Sequence, residues 1–167
     1  MILSKNHENL YIGGRNGSLL IYSLVNNDII MNYKQIHKGP IYSLLIFSNN
    51  QYLITSGKDK SIKIWDATNI DLIIEIENAH EDEIMTMALK ADFGYEFFTA
   101  GGDGSLKRWL FDSDSVSLQL IDENPTAHKD SINTIVLSNN SKFLFTSGED
   151  CSLKKWFLKF NFCDQES

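Results

Sequence analysis

The segment TSGKDKSIKIWD, residues 55–66, has the pattern of two short strands joined by a tight turn. Polar and apolar side chains alternate through SIKIW, which is the two-residue period of a β-strand, and the charged run KDK before it is typical of a turn. Within this frame Thr55 is followed four residues later by Asp59, and Trp65 comes six residues after that. A hydroxyl, a carboxylate and an indole at fixed spacing form a signature that can be sought elsewhere in the chain.

The same frame occurs twice more, in TAGGDGSLKRW (99–109) and TSGEDCSLKKW (146–156). Each copy also has a histidine 18 or 19 residues before its threonine. The complete sets are His37, Thr55, Asp59 and Trp65; His80, Thr99, Asp103 and Trp109; and His128, Thr146, Asp150 and Trp156. A weaker copy lies in IGGRNGSLLIY (12–22), where Tyr22 stands in the tryptophan position and Asn16 in the aspartate position. The aromatic positions are 43, 44 and 47 residues apart, a period that indicates a repeat protein.

Between these landmarks the sequence divides into short apolar or alternating segments, separated by turn-rich linkers such as SNNQ, KADFG and GDG. No segment carries a helical stripe longer than one turn. We therefore predict an all-β chain in which each repeat supplies four antiparallel strands. The sheets must stack face to face, because a single four-stranded sheet cannot bury both of its faces. The pattern further predicts buried first strands and half-exposed third strands in each repeat.

Histidine, threonine, aspartate and tryptophan at this spacing, in four-strand units of about 44 residues, resemble the WD40 repeats of β-propellers. The resemblance covers nearly the whole chain and implies an incomplete ring of about four blades. The implied blades are 1–35 (partial), 36–78, 79–126 and 127–160 (partial), with a tail at 161–167. The chain departs from the family pattern at Ile36, Ala79 and Ala127, which replace a glycine, and it keeps the Trp-Asp dipeptide only at 65–66. The first repeat lacks the histidine, aspartate and tryptophan of the motif.

The resemblance also implies a hydrogen-bond network within each blade. The turn aspartate accepts a hydrogen bond from the loop histidine, the histidine meets the strand threonine, and the threonine accepts from the indole N–H. Buried groups of these kinds each need a partner, and a carboxylate makes the last bond charge-assisted. We expect the loss of Asp103 to be costly, whereas Ser61, at a strand edge, is expected to contribute far less.

Three other kinds of site were weighed against this network. Histidine, aspartate and a hydroxyl also form hydrolase triads, but three equivalent copies are typical of a repeated structural network. The glycine-rich segments GGRNG (13–17) and GGDG (101–104) precede strand patterns rather than helices, which favours hairpin turns over phosphate binding. The histidines lie far apart, and Cys151 and Cys163 have neither metal-ligand nor redox spacing. The sequence therefore predicts no cofactor, no metal and no catalytic residue.

Composition narrows the class of partner. The chain has 167 residues, with 15 basic and 22 acidic side chains and a formal net charge of −7, which disfavours nucleic acid. No apolar run approaches the ~18 residues of a membrane helix, and MILSKNHENL is not a signal peptide. We expect an intracellular, cytoplasmic protein, with the nucleus as an open alternative and with neither nucleic acid nor membrane as a partner.

For function, the resemblance implies a non-enzymatic scaffold that presents propeller loops to other proteins. One rim carries the loops before the first strands and those between the second and third strands, and basic residues lie near the second blade while acidic ones lie near the third and fourth. The candidate partner-binding residues of this rim are Lys38, Lys58, Lys60, Glu81, Asp82, Glu83, Lys129, Asp130 and Glu149. For any one of them a merely solvated surface is an equal alternative. A catalytic β-propeller, or a small self-associating propeller of unknown activity, is the alternative function, and an enzyme should gather charged residues on its first strands.

The number of repeats carries one more expectation. About 3.75 blades are too few for the rings that the family usually forms. We expect further blades from a longer parent chain or, failing that, two copies that close an eight-blade ring.

Overall fold

The computed structural model describes residues 1–47, 49–90 and 95–158. Cys163, the end of the predicted fourth blade and the predicted tail at 161–167 lie outside the described residues. The described part contains fifteen strands and no helix, and all strand pairs are antiparallel. The predicted all-β class, with sheets of the propeller-blade kind, is confirmed. No helix in these residues is long and apolar enough to cross a membrane.

The chain forms two compact units, residues 1–79 and 80–167, and each holds two sheets. In the first unit the sheets are β1 (Ile2–Leu3), β2 (Asn9–Gly13), β3 (Leu19–Ser23), β4 (Asp28–Tyr33), and then β5 (Ile41–Ile46), β6 (Tyr52–Gly57), β7 (Ile62–Asp66), β8 (Leu72–Ile76). In the second unit they are β9 (Ile84–Leu89), β10 (Glu96–Gly101), β11 (Leu106–Asp112), β12 (Ser117–Asn124), and then β13 (Ile132–Leu137), β14 (Phe143–Gly148), β15 (Leu153–Phe157). Each sheet is a meander in chain order.

Apolar side chains between the two sheets of each unit form its core. In the first unit Tyr11, Leu19 and Ile21 of one sheet pack against Leu53 and Trp65 of the next. In the second unit Phe98 and Leu106 pack against Leu144 and Trp156 in the same way, together with other apolar side chains. Trp65 and Trp156 therefore face the preceding sheet of their own unit, and burial of that face holds the two sheets together.

The turn between the second and third strands has the same backbone in all four sheets. The residue that follows the aspartate position adopts a positive φ: 77° at Gly17, 63° at Lys60, 68° at Gly104 and 60° at Cys151. Glycine adopts this conformation without steric cost, whereas lysine and cysteine do not. The conformation points the following serine back toward the aspartate, which positions the site described below.

Strand burial differs from the sequence-based expectation. The third strand β7 was expected to be half exposed, yet Ile62, Lys63, Ile64 and Trp65 are all buried. β7 lies inside its sheet between β6 and β8, and Lys63 forms an ion pair with Glu75 there. A polar position in the alternating pattern is therefore not necessarily exposed to solvent. The first strand β13 was expected to be buried, yet only Ile132 and Ile135 are buried, and Val136 is 55% exposed.

Candidate functional site

The predicted residues of the second repeat lie in one chain of hydrogen bonds. His37 Nδ1 lies 2.9 Å from each carboxylate oxygen of Asp59, and His37 Nε2 lies 2.6 Å from Thr55 Oγ1. The indole N–H of Trp65 donates to the same threonine oxygen at 2.9 Å. The threonine is fully buried and the histidine nearly so. The network thus ties the loop before β5, the strands β6 and β7, and the turn between those two strands.

The second unit repeats this geometry twice. His80 Nδ1 approaches Asp103 to 2.9 Å and His80 Nε2 approaches Thr99 Oγ1 to 2.7 Å, while Trp109 donates to Thr99 at 2.9 Å. In the last sheet the corresponding histidine–aspartate, histidine–threonine and tryptophan–threonine distances are 2.9, 2.7 and 2.9 Å, for His128, Asp150, Thr146 and Trp156. The structure therefore brings together all twelve residues that the motif spacing grouped into three sets.

A serine belongs to each network and was missed from the sequence. Ser61 Oγ donates to Asp59 Oδ1 at 2.8 Å and lies 3.2 Å from His37 Nδ1. Ser105 and Ser152 make the equivalent bonds to their aspartates at 2.8 and 2.6 Å. Ser61 was expected to contribute little because it lies at a strand edge, yet it is only 3% exposed and belongs to the network. The signal was present as Asp-x-Ser in every complete copy of the motif.

One arrangement of protons satisfies every group in the network. His37 Nδ1–H donates to Asp59, so its Nε2 accepts from the hydroxyl of Thr55. The oxygen of that hydroxyl is then free to accept the indole N–H. A hydrolase would instead need its hydroxyl open to substrate, whereas these three threonine hydroxyls belong to residues at most 1% exposed. The arrangement therefore supports a structural role, because it fixes loops to strands.

The carboxylates of the three networks are stabilised in their charged form. Burial raises the pKa of Asp59 and Asp103, but hydrogen bonds from the network histidine, a backbone amide and the network serine outweigh it, so both pKa values lie well below the usual range. Asp150 behaves similarly, and there the hydroxyl of Ser152 is the main cause of the low pKa, followed by the histidine. Each aspartate is therefore an anionic anchor at neutral pH.

Each aspartate also holds the residue that follows the histidine. The backbone N–H of Lys38 donates to Asp59 Oδ2 at 2.9 Å, that of Glu81 to Asp103 Oδ2 at 2.9 Å, and that of Lys129 to Asp150 Oδ2 at 3.1 Å. The three residues are nevertheless exposed. Their backbone is thus fixed by the network while their side chains project from it.

The first sheet has no such network. At the spacing of the motif, Ile12 takes the threonine position, so no hydroxyl is present there. Asn16 accepts a hydrogen bond from the hydroxyl of Ser18 at 2.7 Å, so it stabilises the turn alone. The hydroxyl of Tyr22 donates to Asn27 at 2.7 Å. The turn still serves the neighbouring sheet, because Gly17 O accepts the backbone N–H of His37 at 3.2 Å. Gly104 O accepts the N–H of His128 at 2.9 Å in the same way.

The predicted rim residues all lie in the loops that these networks hold. They occupy the segments before β5, β9 and β13 and the turns β6–β7 and β14–β15. In the first unit those named are basic, and in the second unit all but Lys129 are acidic. Only Lys60 and Glu83 of the nine are half-buried, and the others are exposed. Beside Lys38 a recess of about 460 Å³ opens, lined by Asn16, Gln35, His37, Lys38 and Gly39.

Comparison with known proteins shows which repeats and folds this chain is similar to. Residues 31–66 and 122–156 match the sequence model described as "WD domain, G-beta repeat". The fold is similar to a chain in the "Crystal Structure of Mitotic Checkpoint Complex", with a TM-score of 0.81 and 20% identity over 93% of this chain and 49% of that one. It is also similar to the "Crystal structure of RRP9 WD40 repeats", with a TM-score of 0.80 and 17% identity over 93% of this chain and 46% of that one. This chain therefore spans about half the length of those solved chains. Comparison with curated proteins finds no match.

Proposed function

We propose that this chain, which matches the WD40 repeat model at 31–66 and 122–156 and has the fold of WD40 propeller blades, acts as a non-enzymatic scaffold that binds other proteins through its network-held rim. The observation that carries this proposal is the pairing of a fixed backbone with a projecting side chain at Lys38, Glu81 and Lys129. Loops held in one conformation before binding lose less entropy when a partner docks. The networks supply that order without using the exposed side chains.

Charge suggests what each part of the rim recognises. The rim of the second unit presents Glu81, Asp82, Asp130 and Glu149 as exposed acids, which favours a basic segment of a partner protein. The rim of the first unit carries Lys38 beside the recess of about 460 Å³, whose lining is mostly polar. The exposed ion pair between Lys38 and Glu77, at 3.6 Å, is worth little and can be replaced by a partner's carboxylate.

Two observations favour a scaffold over an enzyme. The hydroxyls that resemble nucleophiles are buried beneath their own tryptophans. The first strands β5, β9 and β13, where a catalytic propeller should gather charge, carry no acidic, basic or histidine side chain. Both features support rigid presentation of loops, and neither supplies a reactive group.

The proposal is tested by comparing three forms of the chain as baits. In the rim variant Glu81, Asp82 and Glu83 are changed to Lys. In the control variant Asp114 and Asn139, which are exposed in turns at the opposite ends of the strands, are changed to Lys. Proteins bound by the wild type should be lost from the rim variant and kept by the control, as identified by mass spectrometry, while both variants melt like the wild type. Partners that survive in the rim variant and disappear from the control would place the binding face at the other end.

A further inference from the structure

A cavity of about 250 Å³ opens between the two sheets of the first unit. Its apolar wall consists of Ile21, Ile30, Met31 and Ala67, together with Tyr11, whose hydroxyl donates to the backbone oxygen of Ala67 at 3.3 Å. Ile30 and Met31 are 46% and 45% exposed, so this wall continues to the surface. The cavity lies beside the β5–β6 and β7–β8 turns, at the opposite end of the strands from the rim.

Polar residues that line this inter-sheet cavity have hydrogen-bonding capacity that the chain does not use. Ser4 is only 3% exposed, and its Oγ accepts the backbone N–H groups of Glu8 and Asn9 at 3.2 and 2.9 Å. The hydroxyl proton of Ser4 has no acceptor among the described residues, and the side-chain amide of Asn9 makes no hydrogen bond with them. Asn50 Oδ1 accepts the backbone N–H of Lys5 at 2.8 Å, but the NH₂ group of Asn50 donates to none of them. These groups are available to a ligand.

The lining also limits the charge and the size of that ligand. None of the described residues that line the cavity carries a charge. An ion brought into such a site would lose hydration without gaining a counter-ion. The volume is below the ~300–1,000 Å³ of pockets for drug-sized ligands. The cavity therefore selects a small uncharged group with an apolar body and amide-like donors and acceptors.

The second unit has charged side chains where the first unit has the lining of this cavity. Arg108 stands opposite Phe98 on the neighbouring strand of its sheet. Ile21 stands opposite Tyr11 in the same way, and both ring residues belong to the core of their own unit. Register therefore equates Arg108 of the second unit with Ile21 of the first.

Two more positions follow this correspondence. Strand β10 begins with Glu96 and strand β2 begins with Asn9, each two residues before the ring of its strand. The backbone N–H of Lys90 donates to the backbone oxygen of Glu96 at 3.0 Å. That of Ser4 donates to the backbone oxygen of Asn9 at 2.8 Å. Lys90 and Ser4 are therefore equivalent, and so are Glu96 and Asn9.

The charged residues of the second unit satisfy one another. Glu96 pairs with Lys90 at 2.6 Å and also with Arg108, and the three side chains are between 13% and 21% exposed. The first unit has an amide in place of this carboxylate, and the shorter Ile21 and Ser4 in place of the cations. Its cavity is thus the place where the second unit holds a long side chain with a polar end. A group that completes the first unit must be neutral, because the charges of that cluster are absent.

We propose that the inter-sheet cavity binds an uncharged residue of a partner protein, namely an aliphatic side chain flanked by its two peptide groups. The aliphatic side chain packs against Ile21, Met31 and Ala67, and the peptide groups form hydrogen bonds with Asn9 and with the hydroxyl of Ser4. A few such polar groups in an apolar site fix the orientation of a ligand. This site is separate from the rim and does not depend on the charges there.

The test uses N-acetyl-leucinamide, which carries a leucine side chain between two amide groups, and the full chain labelled with carbon-13 in its methionine methyl groups. We expect a saturable shift of the Met31 signal in nuclear magnetic resonance spectra, while the signals of Met85 and Met87 in the second unit stay in place. N-acetyl-leucine, which has a carboxylate, and N-acetyl-lysinamide, which has a cation, should bind at least about tenfold more weakly, because the lining offers no counter-ion. Isoamyl alcohol, which has the apolar body without the amides, should also bind more weakly.

Variants of the lining test the position of the site. The combined change Ser4→Lys, Asn9→Glu and Ile21→Arg copies the cluster of the second unit and should abolish the shift of Met31. If melting shows that this variant does not fold, Asn9→Asp adds a charge with almost no change of size, and it should weaken binding about tenfold. Asn26→Asp, at an exposed asparagine of the same unit, should bind like the wild type.

Several results would overturn the proposal. Equal binding by the wild type and Asn9→Asp would exclude the polar contacts, and equal binding of isoamyl alcohol and N-acetyl-leucinamide would exclude a role for the amides. Shifts of Met85 as large as those of Met31 would show a general surface effect. The rim variant with lysine at 81, 82 and 83 should bind the probe like the wild type, so failure here is distinguishable from failure of the rim proposal.

Discussion

At the scale of single residues, motif spacing predicted most members of each network but not the hydroxyl of Ser61. Spacing grouped the histidines, threonines, aspartates and tryptophans correctly into sets that the structure joins, because these residue types are distinctive and recur in step. Serine is common in turns, so its repetition two residues after each aspartate carried less weight. Its role became visible only with the positive φ of the residue before it, at Lys60 in this repeat.

Removal of a network carboxylate should destabilise the chain. Asp103→Ala leaves His80, the amide of Glu81 and Ser105 without their acceptor, so we expect a loss of about 1–3 kcal/mol in the free energy of unfolding. Asp114→Ala, an exposed aspartate in the same unit, should stay within about 0.5 kcal/mol of the wild type. Urea unfolding of both variants checks this, and equal midpoints would refute the anchoring role.

The network serine should matter as well. Ser61→Ala removes a buried donor to Asp59, and we expect it to lower the free energy of unfolding by about 1 kcal/mol. Ser115→Ala, in an exposed turn, is the matched change and should have a smaller effect. Thermal melting of the two variants is the measurement, and an unshifted melting temperature for Ser61→Ala would restore the view that this serine is peripheral.

Ser56 offers the opposite case. It is fully buried, and its hydroxyl is the one buried side-chain polar atom in the described residues without a hydrogen-bond partner. The next sheet has Ala100 at the corresponding position, also fully buried. Because an unsatisfied hydroxyl costs about 1–3 kcal/mol when buried, Ser56→Ala should leave stability unchanged or raise it. A lower unfolding midpoint in urea would show that the hydroxyl has a partner in solution.

At the scale of the element, alternation predicted strands well and burial poorly. The linkers SNNQ and GDG were predicted to separate strands, and β5 and β6 lie on either side of the first while β10 and β11 lie on either side of the second. The prediction of burial was wrong for β7, because lysine counts as polar in a sequence pattern. In the sheet, Lys63 is buried and forms an ion pair with Glu75. A cross-strand partner at a distant sequence position cannot be read from local alternation.

The β14–β15 turn contains a residue in an unfavourable backbone conformation, and a single substitution should relieve it. Cys151 adopts a φ of 60° at the position where the turns β2–β3 and β10–β11 have glycine, so Cys151→Gly should raise the free energy of unfolding by about 0.5–1 kcal/mol. The reverse change, Gly104→Ala, should be destabilising, because its Cβ would also lie 2.6 Å from the backbone oxygen of His128. Melting temperatures that move in the same direction for both variants would contradict this account of the turn.

At the scale of the whole molecule, the three anionic anchors should make stability depend on pH. Their pKa values in the folded chain lie below the usual ~3.9 of an unfolded aspartate, so on acidification the unfolded chain takes up protons first. The stabilisation is therefore complete above about pH 5 and is lost as the pH falls through 4 toward the folded values. Urea unfolding of the wild type between pH 7 and 3 should show this fall, and it should be shallower in Asp103→Ala.

The ties between loops and carboxylates also determine where this chain can change length. Within the complete motifs, the aspartate always comes four positions after the threonine and the tryptophan six positions after the aspartate, whereas the distance between tryptophans varies from 44 to 47 positions. The longer repeat has its extra residues around the β11–β12 hairpin, and its strand β12 has eight residues. This hairpin lies at the end of the sheet that carries no network. An inserted residue beside Asp103 would carry its carboxylate away from His80, whereas one near Val116 would meet only solvent. New sequence, whether a tag, a loop or a whole domain, is accommodated at that second end.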